Sequence, residues 1–137
     1  YKLTYTSLQY ILMNDKTVLL FDDDINILEV CSIILAEAGY KVEISQTSHD
    51  IIEKAAEVNP DVILMDNWIP DIGGIKATQL LKAHPDFNHI PVIYVSANND
   101  IHVLAETAGA DAYLAKPFDL ADLENIVEQV LTEAGSK

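Results

Sequence analysis

The chain has 137 residues, half of them apolar, with a formal charge of −14. That length suits one domain with a real core. The charge argues against a nucleic-acid groove, which needs clustered Lys and Arg, and favours the attraction of cations.

In chain order, residues 1–15 read as an N-terminal extension or cloning remnant, with Met13 a candidate natural start and no secretory leader pattern. Residues 17–21 read as a buried strand. Residues 25–38 follow with one apolar helical face, Ile27, Leu28, Cys31, Ile34, Leu35 and Ala38, and Gly39 as its stop. The lone Cys31 cannot form an internal disulfide and falls on that face as a small hydrophobe. Residues 41–45 alternate as an edge strand does. Thr47 or Ser48 can cap a helix that runs to Val58, ahead of Asn59-Pro60.

Residues 62–65 form an unbroken apolar strand ending in Asp66, and a loop over 67–74 leads to a helix at 75–83. Residues 90–95 are a further apolar strand, ending in Ser96. A short helix over 101–108 stops at Gly109. Residues 112–115 are the last strand, ending at Lys116-Pro117, and Asp119 can cap a final helix over 120–134. No apolar run approaches the roughly 20 residues that span a bilayer. Five strands alternating with five helices predict an α/β fold, a parallel sheet covered on both faces.

In such a sheet the working groups lie beyond the carboxyl ends of the strands. Asp22 and Asp23 follow the first strand, Asp66 ends the third, Ser96 the fourth and Lys116 the fifth. Asp24 is best placed to cap the first helix. Clustered carboxylates on one rim call for a cation, and oxygen donors suit Mg²⁺ over zinc. The four His, at 49, 84, 89 and 102, show no ligand spacing. Asp66 is placed to be either a ligand or a nucleophile, since carboxylates serve as phosphoryl acceptors.

The segments "VLLFDDDINILEV", "DVILMDNWIPDIGG", "PVIYVSA" and "GADAYLAKPF" resemble the receiver domain of bacterial two-component response regulators, over residues 16–134. The resemblance implies a flavodoxin-like doubly wound sheet of five strands in the order 2-1-3-4-5, with five helices. It implies that Asp66 is the phosphoacceptor and that Asp22 and Asp23 hold Mg²⁺ together with the backbone carbonyl of Trp68. Ser96 then matches the switch hydroxyl, Lys116 the phosphoryl contact and Tyr113 the switch aromatic. It further implies a cis bond at Lys116-Pro117. A histidine kinase or histidine phosphotransfer protein is the implied donor, and the face of helix 4, strand 5 and helix 5 the implied dimer surface. No nucleic acid or membrane contact is expected, and a cytoplasmic, non-metabolic signalling role is. Gly73-Gly74 replaces the Asp-Gly pair usual in this family, which removes a helix cap. Trp68 is large for its position and is expected to shield the acyl phosphate or to face a partner. It also stands where a phosphatase-like enzyme would carry its second catalytic Asp.

Overall fold

The structure, a computed structural model, describes residues 15–135. Apart from Asp15, the expected extension over 1–15 lies outside the described residues. The elements run β1 (Thr17–Phe21), α1 (Ile25–Glu37), β2 (Lys41–Ser45), α2 (Ile51–Val58), β3 (Val62–Asp66), α3 (Gly73–Ala83), β4 (Val92–Ser96), α4 (Ile101–Ala108), β5 (Ala112–Ala115) and α5 (Leu120–Gly135). All five strands are parallel, in the order β2-β1-β3-β4-β5. The expected flavodoxin-like arrangement is therefore the one observed.

Strand periodicity explains how the sheet is covered. Side chains alternate between faces, so each central strand feeds two cores. Val18, Leu20, Val62, Leu64, Ile93 and Val95 meet Leu28 and Leu35 of α1 and Leu123 and Val127 of α5. Leu19, Phe21, Ile63, Met65 and Val92 point the other way, onto Ile51 and Ala55 of α2 and Ala77 and Leu81 of α3. Each fully buried aliphatic side chain contributes about 1.5–3 kcal/mol. β3 and β4 are buried at every position, as their unbroken apolar runs require. β2 lies at the edge and keeps its alternation.

The caps show where local chemistry decides. Asp24 caps α1, accepting from the Asn26 amide at 2.9 Å. Asp119 and Asp122 form a reciprocal box at the start of α5, each amide donating to the other carboxylate. Neither Thr47 nor Ser48 caps α2, which begins at Ile51 after Asp50. The Ser48 hydroxyl instead donates to the Pro70 carbonyl at 2.8 Å, tying two loops together. β4 starts at Val92 rather than at residue 90: Pro91 has no N–H for the ladder, and the Ile90 amide donates into the preceding turn at Phe87. At the amino-terminal rim of the sheet, Lys82 Nζ donates to the Ile90 carbonyl at 2.9 Å and pairs with Asp111 Oδ2 at 2.7 Å.

α3 begins at Gly73, two residues before the expected start, because close packing rather than helix propensity sets that end. A Cβ on Gly74 would lie 2.4 Å from the Asp66 carbonyl oxygen, whereas one on Gly73 would meet nothing within 4 Å. Gly74→Ala is therefore expected to cost about 3 kcal/mol through forced backbone displacement. Gly73→Ala bears only the strain of φ +80°, about 1 kcal/mol. Urea denaturation of both variants checks the order; equal losses would contradict it.

Candidate functional site

The order β2-β1-β3 places the switch in strand order between β1 and β3, and the polar strand ends converge there. Asp22 and Asp66 are buried at the tips of β1 and β3, while Asp23 is exposed beside them. One carboxylate oxygen from each lies within 4.8 Å of the others, a set that can hold a metal ion. The donors are all oxygens, which suits a hard divalent cation.

Lys116, reaching across from the end of β5, is the cation already among them. Its Nζ lies 2.7 Å from Asp66 Oδ1 and 2.9 Å from Asp22 Oδ2. The second oxygen of each acid is held by backbone: Trp68 N donates to Asp66 Oδ2 and Asp24 N to Asp22 Oδ1, both at 2.9 Å. The Asp23 carbonyl accepts from Gln46 Nε2 at 3.2 Å, but its carboxylate has no hydrogen bond or ion pair among the described residues and is the one unoccupied donor of the three. The peptide bond Lys116-Pro117 is cis.

Ser96 is buried at the end of β4. Its Oγ accepts from the Asn98 amide at 3.0 Å, and its carbonyl accepts from the Lys116 amide at 2.9 Å. The backbone thus joins the Ser96 and Lys116 strand ends, while the hydroxyl is directed to its own loop. Tyr113 stands on β5, 49% exposed. Trp68 contributes its amide to Asp66, but its indole is 80% exposed. At that exposure the residue is open to solvent. Sequence reasoning passed over Asn67 and Tyr94: the Tyr94 hydroxyl donates to Asn67 Oδ1. The available signal was a lone phenol within the apolar run of β4, because a buried Tyr needs a partner for its O–H.

Electrostatics follow from this crowding. Burial pushes the Asp66 carboxyl above its ordinary value; the Lys116 hydrogen bond opposes that shift and the Asp22 charge adds to it. For Lys116, burial works against the ammonium, but its bonds to Asp66 and Asp22 outweigh it and raise the pKa. A raised lysine pKa contributes stability through neutral pH that is lost only as pH climbs through the folded value. Lys116→Met keeps the stem but strands two carboxylates together. The expected loss is about 2–3 kcal/mol at pH 7. Asp66, its pKa raised still further in the variant, becomes protonated as pH falls, so the gap from the parent should narrow under acid. Denaturation curves across pH measure this; a gap that widens toward acid would refute the assignment.

A family model described as the response regulator receiver domain matches residues 18–128. The regulatory protein AtoC of Escherichia coli K12 is 32% identical over 116 residues, covering 83% of this chain and 25% of its own length. The chain thus spans about a quarter of AtoC. A crystal structure of a putative response regulator from Chloroflexus aurantiacus superposes with a TM-score of 0.81 at 29% identity, covering 86% of this chain and 98% of that one. The receiver domain of a Pseudomonas aeruginosa sensor histidine kinase, solved with magnesium coordinated in its active-site cleft, gives 0.79 at 28% identity, covering 86% and 98%. With the doubly wound sheet, the acidic cluster and the family match in agreement, the chain belongs to the response regulator receiver family, the phosphoacceptor module of two-component signalling.

Proposed function

We propose that residues 16–134 form a receiver unit in which Asp66 accepts a phosphoryl group from a phosphohistidine. The donor is a histidine kinase or a histidine phosphotransfer protein, in the cytoplasm. The single observation that carries this reading is the grip of Lys116 on both Asp22 and Asp66 at the strand tips. Such a pocket is organised around a cation and collects acceptor oxygens.

In this reading Asp22, Asp23, Asp66 and the Trp68 carbonyl hold Mg²⁺. When bound, the ion offsets the repulsion between these carboxylates and the incoming phosphoryl oxygens. Asp66 Oδ1 or Oδ2 attacks phosphorus, the P–N bond to the donor imidazole breaks with its electron pair going to nitrogen, and the imidazole leaves as the neutral ring, its proton coming from solvent. Lys116 stays with the transferred group, exchanging a carboxylate contact for a phosphoryl oxygen. Asp23, whose carboxylate has no partner among the described residues, is the acid freest to meet the metal directly. The domain thus catalyses its own phosphorylation and dephosphorylation and turns over no metabolite.

The new phosphoryl oxygens then offer an acceptor to the Ser96 hydroxyl, drawing it away from the Asn98 amide that now donates to it. Release of that loop lets Tyr113 turn inward beside β4, and the surface of α4, β5 and α5 becomes the output face, to a partner or to a second copy. Incubation with acetyl phosphate and Mg²⁺, followed by intact-mass measurement, should show one phosphoryl adduct per chain. The adduct should vanish in Asp66→Ala and when the metal is chelated; its persistence in Asp66→Ala would sink the assignment.

A further inference from the structure

Tyr94 heads the fully buried side chains by volume, with none of its surface exposed. Its ring lies on the face covered by α3 and α4, clustered with Ile101, Ala105 and Ala108 and flanked by Ile75. A phenol placed there has to find an acceptor, since an unpaired buried hydroxyl is costly. It donates to Asn67 Oδ1, on the residue that directly follows Asp66.

Asn67 is held at three points. Its amide donates to the Val95 carbonyl at 2.9 Å, its carbonyl accepts from the Gly74 amide at 3.3 Å, and its side chain accepts from Tyr94. The first two ties are backbone and would form with many residue types. The third depends on this particular pair. Tyr94 is also the register partner of Tyr113 on β5, so the two side chains leave the sheet on the same face.

We propose that Tyr94 is a positioning residue for the acidic pocket: through Asn67 it fixes the turn that carries Asp66 and Trp68, and it ties that turn to α4. This rests on the phosphoacceptor reading above. The hydroxyl is fit for the task. Burial and the charge of Asp66 push its pKa up to about 12, so it remains a donor at any physiological pH. The ring is wedged under Ile101 and Ala105, in the first turns of α4. Any displacement of α4 on phosphorylation moves the phenol, and with it Asn67. The reverse holds for metal entering beside Trp68.

Tyr94→Phe removes the tie and keeps the ring, so the core stays filled. Two measurements test the proposal. In metal-free protein, amide hydrogen exchange at Asn67, Trp68 and Gly74 should quicken while the β1 and β3 amides hold. Magnesium affinity by calorimetry should fall about three- to tenfold, the range for one lost hydrogen bond. Asn67→Ala should reproduce both effects, and the double variant should add little to either. Lower thermal stability with parental turn exchange and parental magnesium affinity would show that Tyr94 only fills space, and would overturn the proposal. A parent chain that binds no magnesium would overturn the phosphoacceptor reading and this one together. A parent that binds, with variants that bind equally well, would overturn the positioning role alone.

Discussion

Two buried carboxylates and a third beside them, all on one rim, cannot stand close together without positive charge between them. Lys116 supplies it, and much of the architecture follows from that need. The lysine must reach from β5 across β4 and β3 to a residue beyond β1, which only a parallel sheet with aligned carboxyl ends allows. The backbone amides of Asp24 and Trp68 then take the oxygens that the ammonium leaves free. What remains is the Asp23 carboxylate, exposed and without a partner among the described residues. The three carboxylates together form a set that could hold a metal ion.

The two faces of the sheet play different parts. α1 and α5 cover one core that is mostly aliphatic, with Tyr40 and Phe118 among its members. On the other face the apolar layer is interrupted by the Tyr94 phenol, and it is this face that carries α4 and lies beside Tyr113. On the readings proposed above, a charge event at the rim reaches α4 by two short routes: the loop after Ser96, and the turn after Asp66. Both are made of hydrogen bonds with alternative partners.

Most of the fold was legible in the sequence because it rests on period alone. Unbroken apolar runs marked β3 and β4, alternation marked the edge strand β2, and Gly39 and Gly109 marked helix ends. The misplaced boundaries have local causes. Ser48 was free to cap but found Pro70, a partner distant in sequence. Residue 90 looked like strand, but Pro91 cannot donate to the ladder. Gly73 and Gly74 looked like loop, whereas the helix starts at Gly73 and Gly74 lies too close to the Asp66 carbonyl to carry a Cβ. The rim residues could be read because each ends its own strand. Asn67 could not: its importance lies in a contact with Tyr94, and no periodicity encodes that meeting.

The lysine at the opposite rim completes the contrast. Lys82 closes on Asp111 and on the Ile90 carbonyl, both within the protein, so its demand for acceptors is met internally. Lys116 leans on two acids that a ligand can claim. One pole of the molecule is thus a keystone and the other a latch, and traffic in ions or phosphate should rearrange the latch while the keystone holds the strands in line.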